Sequence, residues 1–523
     1  MIHNQIRSLF CLWLNEVVLI NDTIQMERFE AVPFPLNFNV RIFNLSNSEA
    51  VLNGAVPIME EIGPYVYKLY QTREILDMTE DRVWYRRHEH FEFDPIASYP
   101  YKEEDMVTIT NVPYNVSTSS CKGNCSVFFQ VLMNKVRLCV DTLIKHLAHR
   151  TRYSLTAESL FPGVGIVLSQ AMDGIFGEYN SPVATFNVRD LLFDGIPMCK
   201  DPGIPGAVVC ALIKQIAENS MNIEEQEDGS LTFSVLEYVS VVCLFIVVSN
   251  NLFVVFFFIN LQCIYIISAY LGDIFRYDNS VYFPYWTPNS DGDPGICNMI
   301  NGTDAGIFAP FVDRTKSIYL RYQFDTEYKG IPTVRFSAND WLFSNDEGCF
   351  CLNVTRGLNR EDGCLLKGAM ELYSCAFLVL SYPHFLYADT IYRNGVIGMR
   401  PDDENHKIFM DIEPNTGTPI VGAKRAQFNV FMRPVSGISE TQNLRTTLVP
   451  FLWIEESIYL PDEFVGELTG RLLNSLRLVD ILVPVLIAVC CVVFVSGVGL
   501  TIRAKRRKQN PPALLSNSAT LEN

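Results

Sequence analysis

The sequence is most constrained by an uncharged stretch near its C-terminal end, Ile481–Ile502, which has 22 residues without Asp, Glu, Lys or Arg. At about 1.5 Å per residue, a helix of this length would measure about 33 Å, enough to cross a hydrocarbon core of ~30 Å. The basic segment RAKRRK (Arg503–Lys508) follows, and Lys and Arg concentrate on the cytoplasmic side of membranes. The sequence therefore predicts a transmembrane helix over 481–502 and a cytoplasmic tail over 503–523. A buried core helix is the alternative, which the basic flank disfavours.

The rest of the composition agrees with a large domain on the extracellular or luminal side. The formal net charge is −17, from 41 Lys and Arg against 58 Asp and Glu. This excess argues against a nucleic-acid partner, because phosphates require a basic surface. Six sequons precede the predicted span and none follows it, which is typical of a glycosylated ectodomain. The predicted glycosylation sites are Asn21, Asn44, Asn115, Asn124, Asn301 and Asn353.

Four of the fifteen cysteines lie between Cys297 and Cys364, two of them in the segment CFC (Cys349–Cys351). In an oxidising compartment such a cluster indicates disulfides. A zinc site is the alternative, but C-x-C without a nearby His or a C-x-x-C is poor zinc spacing. We therefore predict no metal and no cofactor.

Alternating apolar residues predict a large, mainly antiparallel sheet. In the segments LNFNVRI (Leu36–Ile42) and QFNVFMR (Gln427–Arg433) every second residue is apolar. A period of two indicates a strand with one buried face. The apolar positions are Leu36, Phe38, Val40 and Ile42 in the first segment, and Phe428, Val430 and Met432 in the second.

One region, Val127–Arg152, has apolar residues every three or four positions, which predicts a helix. On another face of this helix Lys145, His149 and Arg152 are spaced to form a small basic patch. A solvated helix face is one interpretation of the patch. Docking of anionic ligands is the other.

Signals for catalysis are weak. The sequence has no G-x-S-x-G, H-E-x-x-H, P-loop or C-x-x-C motif. His88 and His90 alternate along a predicted strand, a pattern more often found in surface histidines than in metal ligands. Asp291 and Asp293 in SDGDPG favour a turn over a calcium loop, which needs more oxygen ligands. An ectoenzyme is therefore the remote hypothesis.

Six strings resemble the class B scavenger receptors, a family that includes fatty acid translocase, the lysosomal integral membrane protein type and the insect sensory neuron membrane proteins. They follow the order found in that family and extend over most of Val32–Ile502. The strings are EEIGPYVY (Glu60–Tyr67), CNMINGTDAGIFAPF (Cys297–Phe311), GCFC (Gly348–Cys351), SYPHFLYAD (Ser381–Asp389), DIEPNTGTPIVGAKRAQFNVFMRP (Asp411–Pro434) and PFLWIEE (Pro450–Glu456).

The resemblance implies a protein with two membrane spans, cytosolic termini and one glycosylated ectodomain, here 21–478. Its fold would be an α+β membrane protein whose large antiparallel β-barrel encloses a hydrophobic tunnel beneath an apical helical bundle, here about 127–170. Basic residues in that bundle capture ligands in relatives, which adds weight to Lys145, His149 and Arg152. The implied partners are lipids, fatty acids, lipoproteins, lipophilic small molecules and the membrane. A homo-oligomer is compatible with this picture.

The resemblance also implies disulfides between Cys297 and Cys349 and between Cys351 and Cys364. On the loop-entropy relation these would contribute roughly 4 and 3 kcal/mol. Cys375 matches one half of a third pair, and Lys316 stands where its partner is expected, so Cys375 is predicted to be unpaired. Residues 1–20 contain no apolar run long enough for the N-terminal span, and we interpret them as a remnant of that region.

A second apolar run, Val239–Tyr270, has no counterpart in the family, which continues from LTFSV (Leu231–Val235) through a short hydrophilic segment to LGDIFRYDN (Leu271–Asn279). Retained intron sequence is the favoured interpretation, because the run is rich in Val, Ile and Phe with Asn. A true insertion and a third membrane span are the alternatives. A single span here would divide one barrel between two compartments.

The sequence thus predicts a scavenger receptor that binds lipids, lipoproteins or other hydrophobic or anionic ligands at the apex and passes lipid through a tunnel to the membrane. The alternative is a recognition or adhesion receptor for apoptotic cells or pathogens, without lipid transfer. The predicted location is the plasma membrane, with the lysosomal or endosomal membrane as the alternative.

Overall fold

The computed structural model describes one large sheet, a separate pair of strands and six α-helices among the residues that it places. The described residues are 22, 24–78, 82–115, 172, 174–195, 199–200, 203, 207, 210, 224–225, 231–239, 274–277, 306–309, 318–345, 358–372, 378–413, 419–435, 438–470 and 474–509. The predicted apical helices (about 127–170) and the apolar run after Val239 lie outside them. So does the remnant over 1–20.

The described strands, in chain order, are β1 (Leu36–Leu45), β2 (Met59–Met78), β3 (Arg82–Phe93), β4 (Met106–Thr110), β5 (Val183–Asn187), β6 (Glu224–Glu225), β7 (Leu231–Val239), β8 (Ile274–Tyr277), β9 (Gly306–Ala309), β10 (Ile318–Tyr328), β11 (Ile331–Ser337), β12 (Met370–Leu372), β13 (Leu378–Ser381), β14 (Phe409–Ile412), β15 (Pro419–Met432) and β16 (Thr447–Tyr459). The described α-helices are α1 (Ile24–Glu30), α2 (Ser48–Leu52), α3 (Thr390–Asn394), α4 (Asp403–His406), α5 (Asp462–Leu468) and α6 (Asn474–Gln509).

The predicted mainly antiparallel sheet is confirmed. Fourteen of the described strands form one sheet, whose main path is β6-β7-β3-β2-β1-β16-β15-β14-β11-β10-β9. The strand β8 pairs with β7, and β13 joins β12 to the second half of β15. The strands β4 and β5 form a separate antiparallel pair. The path ends at β6 on one side and β9 on the other, so the described strands do not close into the barrel implied by the resemblance.

The alternation in β1 has the predicted effect on one face of the sheet. Phe38, Val40 and Ile42 are buried in a large apolar cluster that also contains residues of β2, β4, β5, β15 and β16. The expectation of only one buried face is wrong, because Phe43 and Leu45 on the other face are also buried. Both faces of this part of the sheet are therefore covered.

The second apolar cluster contains Phe43 and Leu45 of β1, Leu448, Val449 and Trp453 of β16, and Phe385, Tyr392 and Val396 between β13 and β14. In β15, Phe428 and Val430 join the large cluster as predicted, but Met432 packs in the second cluster. Part of the chain between β13 and β14 therefore covers the face opposite the large cluster, while Tyr382, Leu386 and Ile408 of the same chain segment pack in the large cluster itself.

The chain divides into two compact units, residues 1–328 with 332–459 and residues 329–331 with 460–523. The second unit contains α5 and α6, and Lys329 pairs with Asp462 within it at 2.6 Å. The helix α6 is 36 residues long and includes the whole of Ile481–Ile502. When only positions with described side chains are counted, no helix is long and apolar enough to cross a membrane.

Candidate functional site

Polar residues line the face of the sheet opposite the large apolar cluster. On β15, Arg425, Gln427 and Asn429 recur at every second position, and all three are buried. Glu455 of β16 lies directly opposite Arg425 and is also buried. The segment Tyr382–Lys407, which we call the covering segment, makes side-chain and backbone contacts with this row. Buried polar groups are costly unless they are hydrogen-bonded, so each of these contacts matters for stability.

His384 connects the covering segment to β2. Its Nε2 contacts Oε2 of Glu61, and its Nδ1 accepts a hydrogen bond of 3.2 Å from the backbone N–H of Arg400. Because Nδ1 is an acceptor, the neutral ring carries its proton on Nε2, which therefore donates to Glu61. Burial raises the pKa of Glu61, but the hydrogen bond and electrostatic attraction of His384, together with the charge of Arg41, outweigh it, so this pKa lies below its ordinary value.

His406 stacks on His384, with ring centroids 4.5 Å apart and an angle of 22° between the planes. Its other neighbour is Trp453, whose ring it meets edge to face at 5.7 Å. Its Nδ1 accepts a hydrogen bond of 2.9 Å from the backbone N–H of Asp402. Burial and the adjacent His384 lower the pKa of His406 to about 4, although Glu61 and Asp402 act in the other direction. His406 is therefore neutral at neutral pH.

Arg41 of β1 lies opposite Trp453 and places its guanidinium 4.4 Å from the centre of the indole ring. Its Nε is 3.4 Å from Oε1 of Glu61. Arg41 Nη1 and Trp453 Nε1 are both buried and have no hydrogen-bond partner among the described residues.

Arg425 holds the far end of the covering segment. Its Nε donates to Oε2 of Glu455 at 2.7 Å, and its Nη1 donates to the backbone carbonyls of Glu404 and Lys407 at 3.0 and 2.7 Å. Asn39 Nδ2 donates to the remaining oxygen of Glu455 at 3.0 Å. The buried ion pair is thus completed by hydrogen bonds on both sides, which such pairs require.

Gln427 continues the row toward β13. Its Oε1 accepts a hydrogen bond of 2.6 Å from the backbone N–H of His384. Its Nε2 donates to Oδ1 of Asn429 at 2.8 Å and to Oγ of Ser381 at 3.2 Å. The polar residues of β15 therefore bind both ends of the covering segment: Gln427 accepts from His384 near its start, and Arg425 donates to Lys407 at its end.

The chemistry of this cluster favours a structural connection over catalysis. No group of three or more His, Cys, Asp or Glu in the described part of the chain could hold a metal ion. Both imidazoles use Nδ1 to bind backbone amides, so neither is available as a base. The cluster holds the covering segment to the sheet.

The residues of the predicted apical patch, Lys145, His149 and Arg152, lie outside the described residues, so the structure does not test them. The same is true of the turn containing Asp291 and Asp293.

The histidines His88 and His90 of β3 contact neighbouring side chains of β2. His88 Nε2 is 3.8 Å from Oε2 of Glu74, and the ring centroid of His90 is 6.3 Å from that of Tyr70.

Cys364 is the one predicted disulfide residue within the described ranges. It is buried and disulfide-bonded, but its partner lies outside them, as do Cys297, Cys349, Cys351 and Cys375. The pairing with Cys351 therefore stays a prediction. A further disulfide joins Cys199 and Cys210. Nothing in the spacing of these two cysteines distinguishes them from the others in the sequence.

Two of the six sequons are within the described residues. Asn44 is partly exposed and accepts a hydrogen bond of 2.9 Å from the backbone N–H of Thr108 through Oδ1. Asn115 is only 2% exposed, and its Nδ2 donates to the carbonyls of Asn111 and Pro182 at 2.8 and 2.7 Å. A glycan would be attached at Nδ2, so this geometry disfavours glycosylation of Asn115. Asn21, Asn124, Asn301 and Asn353 lie outside the described residues.

The cluster formed by His384, His406 and Glu61 was not predicted from the sequence, although the string SYPHFLYAD contains His384. Glu61 and His384 are 323 positions apart, and no local pattern connects residues at such a distance. The one available signal is the polar alternation of Arg425, Gln427 and Asn429 between apolar neighbours. It indicates a strand with two different faces and does not identify the partners.

Comparison with known proteins covers nearly the whole chain. The CD36 family matches residues 4–501. Sensory neuron membrane protein 2 of Drosophila melanogaster is 33% identical over 505 residues, covering 89% of this chain and 87% of the relative. The protein of the same name in Aedes aegypti is 31% identical, with 90% of each chain covered. Sensory neuron membrane protein 1 of Pediculus humanus subsp. corporis is 29% identical, with 95% and 88% covered. The chain therefore belongs to the CD36 family, the class B scavenger receptor family that its motifs predict.

Proposed function

We propose that this chain is a receptor that binds lipids, lipoproteins or other hydrophobic or anionic ligands at the apex of its ectodomain and passes lipid through a tunnel to the membrane. The family match over residues 4–501 is the observation that carries this proposal. The relatives are named as membrane proteins of sensory neurons, which supports a membrane location. We place the receptor in the plasma membrane, with the lysosomal or endosomal membrane as the alternative.

The character of α6 supports a membrane span over Ile481–Ile502. Four consecutive residues, Val492, Val493, Phe494 and Val495, are each at least 65% exposed, although they point in different directions around the helix. A helix that is apolar on all sides requires an apolar environment. The basic residues Arg503–Lys508 would then lie at the cytoplasmic surface.

A tunnel suits cargo with a long acyl chain. Each CH₂ group removed from water contributes ~0.8 kcal/mol, so such a chain gains on the order of 12 kcal/mol before the cost of ordering it. A dry path from the apex to the bilayer keeps this gain throughout transfer. The described residues contain a large apolar cluster on one face of the sheet, which is the kind of surface that such a tunnel requires.

The pairing of β7 with β8 supports a single ectodomain. Leu236, Glu237 and Tyr238 lie opposite Tyr277, Arg276 and Ile274, so the chain enters and leaves residues 239–270 at neighbouring positions of one sheet. Paired strands lie about 5 Å apart. A single membrane crossing between them would separate the two strands by the thickness of a bilayer, so this pairing disfavours the third span. It is compatible with both intron-derived sequence and a true insertion.

Lipid transfer and ligand binding are tested together with the full chain in liposomes. The wild type and the variant Lys145→Glu, His149→Glu, Arg152→Glu are compared for binding of anionic particles and for delivery of a fluorescent fatty acid to the bilayer. We expect delivery by the wild type and at least tenfold weaker particle binding by the variant. The variant Lys102→Glu, which changes an exposed lysine elsewhere, serves as the matched control and should behave as wild type.

The outcomes separate the two receptor hypotheses. Particle binding that depends on the apical patch, without fatty acid delivery, would favour a recognition or adhesion receptor. Delivery without dependence on the patch would contradict the apical capture site and leave the tunnel supported. The proposed function would be rejected if the wild type delivers no fatty acid and the charge-reversal variant binds particles as strongly as the wild type.

A further inference from the structure

Two stacked imidazoles hold one short stretch of backbone. His384 Nδ1 accepts from the N–H of Arg400, and His406 Nδ1 accepts from the N–H of Asp402. The two rings are stacked, so the stretch 400–402 is bound at two points by adjacent side chains. A histidine nitrogen can accept a hydrogen bond only while it is unprotonated.

We propose that the stacked pair His384 and His406 is an acid-sensitive connection, in which uptake of a proton by His406 releases residues 400–402 of the covering segment from the sheet. The added proton would have to occupy Nδ1 of His406, because Nε2 is protonated in the neutral ring. An N–H would then face the N–H of Asp402, and that hydrogen bond would be lost. The inference does not depend on the identity of the cargo or on its transfer.

The charges that face His406 decide how strongly the folded state resists this proton. The neighbouring His384 and Arg425 of β15 oppose protonation of His406, whereas Glu61 of β2 and Asp402 at the start of α4 favour it. Arg41 of β1 lies close to Glu61 and offsets part of its charge. Glu455 of β16 is occupied by Arg425 and Asn39.

Surrounding groups without charge add no compensation. Trp453 of β16 presents its ring to His406, and Phe43 of β1 presents its ring to His384. Gln427 of β15 accepts from the backbone N–H of His384. Since burial dominates, the pKa of His406 falls to about 4. The connection is therefore intact at neutral pH and weakens in acid.

The remainder of the covering segment is held by contacts that do not titrate in this range. Tyr392 is buried in the second apolar cluster, and Ile397 exchanges backbone hydrogen bonds with Pro57 and Met59. Arg425 binds the carbonyls of Glu404 and Lys407. Release should therefore be local to residues 400–402 and leave the sheet folded.

The test is hydrogen exchange of the full chain in detergent micelles between pH 7 and pH 4, corrected for the intrinsic exchange rate. When His406 regains its ordinary pKa of 6.5 on release, the opening constant rises by up to about tenfold per pH unit between about 6.5 and 4. We expect the amide of Asp402 to follow this slope while those of β15 and β16 stay protected. Unchanged protection of the Asp402 amide down to pH 4, or equal loss throughout the sheet, would overturn the proposal.

A non-titrating replacement supplies the second measurement. In His406→Asn the side-chain oxygen can accept from Asp402 near the position of Nδ1, and it cannot be protonated in this range. We expect protection of Asp402 at pH 4 to stay within about twofold of its value at pH 7. The matched control is His90→Asn, at an exposed histidine of β3, which should keep the wild-type slope. A slope in His406→Asn equal to that of the wild type would overturn the role of this ring.

Discussion

Tyr238, near the end of β7, lies directly opposite Ile274, the first residue of β8. The described residues on either side of the apolar run 239–270 therefore pair with each other in the same sheet. If these two residues pair in the cell, all sequons on either side of the run face one compartment.

Glycan mapping by mass spectrometry tests this arrangement. We expect glycans both before the run, at Asn44 or Asn124, and after it, at Asn301 or Asn353. A chain lacking 239–270 keeps only Leu271–Asp273 between the paired residues, a length typical of hairpin loops, and should carry the same glycans. Glycans confined to one side of the run in the full chain would contradict the pairing and restore the third span.

Asn115 should escape glycosylation, because its Nδ2 is buried and donates to two backbone carbonyls. Replacing Ser117 with Ala removes the sequon and leaves Asn115 unchanged, so the mature protein should lose no glycan mass. Asn115→Gln should instead lower the free energy of unfolding by about 1–3 kcal/mol, since the longer side chain leaves buried carbonyls unpaired. A loss of one glycan mass in Ser117→Ala would contradict this account.

Arg425→Ala should be among the most damaging changes of a charged residue. It leaves Glu455 buried without its cation, and breaking one partner of such a pair costs about 3–5 kcal/mol. Arg86→Ala is the matched control, because Arg86 and Glu74 form a pair with side chains 39% and 50% exposed, and such pairs contribute about 0–1 kcal/mol. Denaturant unfolding measures both. Equal costs would indicate that the pair with Glu455 is not effectively buried.

Stability should fall as the pH is lowered from about 6.5 to 4. In the unfolded chain His406 takes up a proton near its ordinary pKa of 6.5, whereas in the folded chain its pKa is about 4. Between these pH values the unfolded state therefore binds more protons, and lowering the pH stabilises it relative to the folded state. The full effect corresponds to about 3 kcal/mol. Because the pKa of Glu61 is lowered in the folded state, protonation of Glu61 causes a further loss of folding stability at pH values below its ordinary pKa. In His406→Asn, thermal unfolding should show a shallower slope above pH 4.5; an unchanged slope would count against His406.

Gly368→Ala should prevent normal folding. Gly368 has a φ of +88°, and a Cβ there would lie 2.2 Å from the Cα of Ala388 in the covering segment. Gly330→Ala is the control, because Gly330 has a φ of +83° with nothing within 4 Å, so only the backbone cost of about 1–2 kcal/mol applies. The two variants are compared by the yield of folded protein and by the melting temperature. Similar values for both would show that the covering segment can move away from Gly368 at little cost.

The parts of the fold that follow from local patterns were predictable. Alternation in Leu36–Ile42 identifies β1 and its face toward the large cluster, and the family strings identify the overall fold class. The alternation could not show that Asn39 and Arg41 are covered as well, since that depends on chain more than 300 residues away. His384 shows the same limit, because its role depends on Glu61, Arg400 and His406, and no spacing rule connects these four residues.

The position of β1 between β2 and β16 has a consequence for biosynthesis. Asn39 and its partner Glu455 are 416 residues apart, so one edge of β1 has no neighbour until almost the whole ectodomain has entered the compartment in which it folds. During that time β1 presents unpaired backbone groups to other chains, and β15 does so from its own emergence until β16 follows. A product that ends before Thr447 would retain both open edges permanently, and quality control in the secretory pathway would meet it as an aggregating species rather than as a smaller receptor.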